Sequence, residues 1–61
     1  MREYREKLID RMVALYGYEH EITIGFARMC EQLGDSDWND TTLRLLVESH
    51  EADPYVGEQD D

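Results

Sequence analysis

The sequence predicts an all-α protein of three short helices. They form either an antiparallel three-helix bundle or a helical hairpin whose third helix is completed by dimerisation. Three observations lead there. Apolar residues recur at helical spacing in three separate stretches. Each stretch is closed by a glycine or a proline. The one stretch with strand-like composition has no partner strand elsewhere in the chain.

The first helix is expected from about Glu3 to Tyr16. Tyr4, Leu8, Met12 and Leu15 follow one another at one-turn spacing, with Ile9, Val13 and Tyr16 beside them. That makes a wide apolar stripe of the kind a core-facing helix carries. Glu3 and Lys7 form a favourable pair one turn apart on the wet side. Gly17 follows as a left-handed C-cap.

The second helix is expected from about Glu21 to Leu33, with Ile22, Phe26, Met29, Cys30 and Leu33 on one face. Glu19 and Glu21 sit near its start, where the helix dipole favours negative charge. Its weak point is Ile22-Thr23-Ile24-Gly25, since β-branched residues and glycine are poor helix formers. Gly34 is a stop signal.

After the linker Gly34-Asp35-Ser36-Asp37, the third helix is expected from Trp38 to Ala52. Asp37 is its N-cap, with Asn39 as the competing cap and Asp40 in the position of a capping box. Leu43, Leu46, Val47 and His50 share a face, and Leu45 flanks it. Pro54 disfavours helical geometry at Asp53 and ends the helix. Residues 1–53 therefore form one helical domain, and 54–61 an acidic tail.

Size restricts what this domain can do alone. A chain of 61 residues buries only about 60% of the surface it exposes when unfolded. A core of this size seldom supplies more than about 3–5 kcal/mol. An intrachain disulfide is excluded because Cys30 is the only cysteine. Self-association is the natural supplement. A lone thiol suits a reducing compartment. The charged N-terminal residues lack the apolar core of an export signal. The longest apolar run, Met12 to Tyr16, is far short of the roughly 20 residues that span a bilayer. A cytoplasmic protein is expected.

Net charge is −9, from six basic and fifteen acidic residues. Nucleic acid and anionic membranes both demand a basic face, so neither is an expected partner. Arg2, Arg5, Lys7 and Arg11 give residues 1–11 a charge of +1, which leaves −10 on the remainder. The second and third helices have a helix–turn–helix outline. Arg44 against Asp40, Glu48, Glu51 and Asp53 opposes a DNA-reading role for the third.

Motifs that could carry chemistry are incomplete. Asp35, Asp37 and Asn39 match the first three ligand positions of an EF-hand calcium loop. Asp40 then stands at the required glycine, Leu43 at the ninth position and Leu46 at the bidentate glutamate. His20, Cys30 and His50 are the candidate zinc or thiol-site residues. His20 and Cys30 are about 15 Å apart along the helix rise, and no ligand type lies one turn from either histidine at i+4 or i−4. Cys30 is read as a small core residue and His50 as a core-boundary one. Ser36 and Ser49 lack a nucleophile elbow. No catalytic residue, metal ligand or cofactor is expected.

The leading expectation is a non-enzymatic protein–protein interaction module, most simply a homodimer. If three apolar stripes cannot all be buried in one short chain, some surface remains for a partner. The residues assigned to that surface are Tyr4, Leu8, Met12, Tyr16, Trp38, Leu43 and Val47. Tyr16 and Trp38 equally suit closing the ends of the bundle. An alternative is an acidic decoy imitating nucleic acid toward a basic protein, through Glu48, Glu51, Asp53, Glu58, Asp60 and Asp61. A second alternative is a metal or thiol site at Cys30 with His20 or His50.

Overall fold

The computed structural model describes residues 2–55. The sequence-based expectations for Glu58, Asp60 and Asp61 lie outside this range. Three helices follow one another: α1 (Arg2–Tyr16), α2 (Glu21–Gln32) and α3 (Asp37–Ala52). All regular structure among the described residues is helical, in agreement with the predicted class.

Gly17 ends α1 as expected. Its φ is +97°, a left-handed conformation that suits a residue without a side chain. Its N–H donates to the Val13 carbonyl at 2.7 Å, satisfying one of the carbonyls left open at the helix end. The Ile22–Gly25 stretch is helical throughout. Thr23 and Phe26 of this region are buried, so packing outweighs weak local propensity. Leu33 is the C-cap of α2 rather than its last residue.

The start of α3 corrects the predicted cap. Ser36, not Asp37 or Asn39, is the N-cap. Its hydroxyl accepts from the Asn39 N–H at 3.0 Å. Asp40 does not close a capping box, because its carboxylate is turned to Arg5 of α1 at 2.9 Å.

Pairings between helix ends set the chain directions. Near the start of α1, Arg5 meets the end of α2 and the start of α3. At the end of α1, Tyr16 meets His20 before α2 and His50 in the last turn of α3. The helices therefore run up, down and up, with α1 and α3 parallel. Helix α1 packs against both others, which approach each other far less. The core is Leu8 and Met12 from α1, Phe26 and Cys30 from α2, and Leu43 and Val47 from α3.

Arg5 is as deeply buried as these apolar residues, at 1% exposure. Burying a guanidinium is costly unless its donors are satisfied. Here Nε donates to Asp40, one terminal nitrogen to the carbonyls of Cys30 and Leu33, and the other to that of Gly34. Asp35 adds a longer ionic contact of 3.8 Å. Arg5 thus caps the C-terminus of α2 from a neighbouring helix and ties the α2–α3 loop to α1.

Candidate interaction surface

Four of the seven residues assigned to a partner surface lie in the core of a single chain. Leu8, Met12, Leu43 and Val47 are all buried. This corrects the sequence-based expectation for these positions. Because α1 lies against both other helices, it covers its own stripe and the facing stripe of α3 at once. Tyr16 is half-buried and closes one end of the bundle. Its hydroxyl accepts from the Tyr55 N–H at 2.8 Å and lies 2.7 Å from His50 Nδ1. Tyr4 and Trp38 remain exposed, Trp38 at 78%.

Of the metal and thiol candidates, His20 and His50 come together around Tyr16, whereas Cys30 lies apart from both. His20 accepts from the Ile22 N–H through Nδ1 and so caps α2. It stacks on Tyr16 with ring centroids 4.9 Å apart, and His50 meets the same ring edge-on at 5.5 Å. Cys30 sits toward the opposite end of the bundle, where its carbonyl accepts from Arg5. Burial pushes the Cys30 thiol up from its ordinary value, against a smaller opposing pull from Arg5. An activated nucleophile requires the reverse shift. Among the described residues, no three His, Cys, Asp or Glu side chains cluster closely enough to hold a metal ion. Of the calcium-like residues, Asn39 donates to the Gly34 carbonyl at 2.9 Å, Asp35 faces Arg5, and Asp37 lies in the first turn of α3.

The surface that stands out lies on α3. Trp38, Thr41, Thr42, Leu45, Ser49 and Ala52 are all exposed and recur at helical spacing. At about 100° per residue they fill one strip along the side opposite Leu43 and Val47. None carries a charge, in a chain whose residues are 34% charged. Trp38 and Leu45, the two large members, are 78% and 53% exposed. One edge of the strip is charged: Asp37, Asp40, Arg44, Glu48 and Glu51. On it Arg44 donates to Glu48 at 3.1 Å. Hydropathy alone does not pick out this strip, because threonine, serine and alanine dilute its two apolar residues. Its legible signal is the absence of charge.

The rest of the described surface is mostly charged, with Tyr4, Tyr18, Ile24 and Tyr55 as its exposed large hydrophobic residues. Arg5, Arg11 and Arg44 are engaged by Asp40, Glu51 and Glu48 respectively. Exposed acids such as Glu6, Asp10, Glu21 and Glu31 dominate elsewhere. No described helix is long and apolar enough to cross a membrane.

The fold and this surface define a small three-helix bundle with one uncharged, aromatic-anchored helix face. No family model, curated protein or solved structure matches the chain.

Proposed function

We propose that this protein is a small non-enzymatic protein–protein interaction module that uses the outer face of α3 as its contact surface. The observation that carries the reading is the exposure of Trp38 and Leu45 on a strip without charge, although the core is already closed. Tryptophan is strongly enriched at the energetic centres of protein interfaces. A charge-free strip loses little hydration when covered, whereas the acidic faces around it resist desolvation. A reducing, cytoplasmic setting suits the single buried thiol.

A photoreactive side chain at position 42, within the strip, tests this in the source cell. The same group at position 7, on the charged side of α1, is the control. Protein adducts from position 42 alone are the expected outcome. Equal labelling from both positions, or none from either, would sink the assignment.

The net charge of −9 supports a second reading, an acidic decoy for a basic protein. Its binding would fall steeply as salt rises, because opposite charges attract through a screened field. Association through the uncharged strip would not.

A further inference from the structure

We propose that His20 is an acid-released latch on α2: its neutral ring caps the first turn of the helix, and protonation of the ring lets that turn go. The latch does not depend on what binds the outer face of α3.

The chemistry of the cap sets it apart. Helices are ordinarily capped by Ser, Thr, Asp or Asn, whose side-chain oxygen accepts a backbone N–H. Here the acceptor is a ring nitrogen: His20 Nδ1 takes the Ile22 N–H at 3.1 Å. A neutral imidazole has one accepting nitrogen. An imidazolium has none, because both of its nitrogens carry protons. Its Nδ1–H would face the Ile22 N–H, donor against donor. Turning the ring over does not help, since Nε2 is then a donor as well. Histidine is the side chain that gains its charge in mildly acidic water.

The turn held by this cap has little helical preference of its own. Ile22, Thr23 and Ile24 are β-branched, and Gly25 follows them. Helix α2 is also the shortest of the three, with twelve residues against fifteen and sixteen. A short helix of weak formers leans on its cap and its packing. The start of α3 is the contrast, because its cap is the hydroxyl of Ser36, which takes up no proton in this range.

The surroundings of His20 hold the charged ring and oppose the charged cap. On α1, Tyr16 stacks against it with centroids 4.9 Å apart, and an aromatic face attracts a cation. In the turn, Glu19 precedes it and Tyr18 lies one residue further back; on α2, Glu21 follows it. Both glutamates favour the positive form. The N-terminus of α2 disfavours it, because the helix dipole places positive potential there. The protonated ring therefore stays with Tyr16 while the start of α2 separates from it. From α3, His50 meets the same tyrosine edge-on. Glu51 beside it is engaged by Arg11, and Asp53 is exposed beyond the helix. His50 lies in the last turn of α3, where the dipole favours a positive charge. Its Nδ1 is 2.7 Å from the Tyr16 hydroxyl, which can donate to a neutral ring or accept from a charged one. Acid leaves that contact in place and breaks the one at His20.

Amide hydrogen exchange on the full chain tests the latch between about pH 7.5 and about pH 5, after correction for the intrinsic pH dependence of exchange. Protection should fall about fivefold, the worth of one N-cap, at Ile22 and at Ile24, which donates to the His20 carbonyl. Asn39, capped by Ser36, should keep its protection. His20→Asn retains an oxygen acceptor at both ends of the range, so protection at Ile22 should become constant. His50→Gln should leave the fall in place. Constant protection at Ile22 in the parent chain, an equal fall in His20→Asn, or loss of the fall in His50→Gln would overturn the inference.

Discussion

Arg5 Nε donates to Asp40 Oδ1 at 2.9 Å, joining the first turns of α1 and α3 across 35 residues of sequence. The rest of the same guanidinium donates to the carbonyls of Cys30, Leu33 and Gly34, at and just past the end of α2. One side chain thus fixes the end of one helix and the start of the next. A planar fork of donors can do this, whereas an ammonium cannot reach the same acceptors together. Arg5→Lys should therefore lower stability by about 2–3 kcal/mol, within the cost of losing charge-assisted bonds at a buried site. The urea midpoint at neutral pH measures it. An unchanged midpoint would mean that water replaces the clamp at no cost.

Thr23 is the opposite case. Its Oγ1 is buried without a hydrogen-bond partner, and such a group loses hydration with nothing in return. Thr23→Val keeps the shape and the β-branching while removing the hydroxyl. It should raise stability by about 1 kcal/mol, read as a higher melting temperature. A variant less stable than the parent would show that the hydroxyl finds a partner in solution.

The Arg11–Glu51 pair carries a pH dependence. Two hydrogen bonds from Arg11, at 2.9 and 2.7 Å, hold the Glu51 carboxyl below its ordinary value of 4.5. A depressed carboxylate stabilises the fold at pH values above that ordinary one, and the contribution is lost as pH falls through the folded value. Glu51→Gln should flatten the acid limb of the stability curve and change little at alkaline pH beyond the loss of the pair itself. Urea midpoints across the acid range, for both proteins, decide it. Curves of identical slope would mean that solvent screens the pair completely.

Cys30 has the reverse sign. Burial raises its thiol above 9.0, so the fold favours the protonated form. That contribution is complete below the ordinary value and is lost as pH rises through the folded one. Alkylation of the native protein should be slow, and its pH profile should lie higher than that of the urea-unfolded chain. Equal rates in the two states would show that the thiol is open to solvent.

The helices, the Gly17 terminus and the apolar stripe of α3 were legible in the sequence. Each depends on residues within a few turns of one another: Leu43, Val47 and their neighbours recur at the helical period, and Gly17 takes a backbone conformation other residues resist. The tertiary structure decided the rest. Leu8, Met12, Leu43 and Val47 read equally well as a surface for a partner or as a core. Spacing reports that a stripe must be covered, not what covers it. The position of α1 against both other helices settled that point. Arg5 read as one base in a charged first segment, because its acceptors on Cys30, Leu33, Gly34 and Asp40 come from other elements. The outer strip of α3 lay between these cases. Its lack of charge was written in the sequence, but exposure is a property of the packed molecule, and only packing showed that Trp38 and Leu45 face outward.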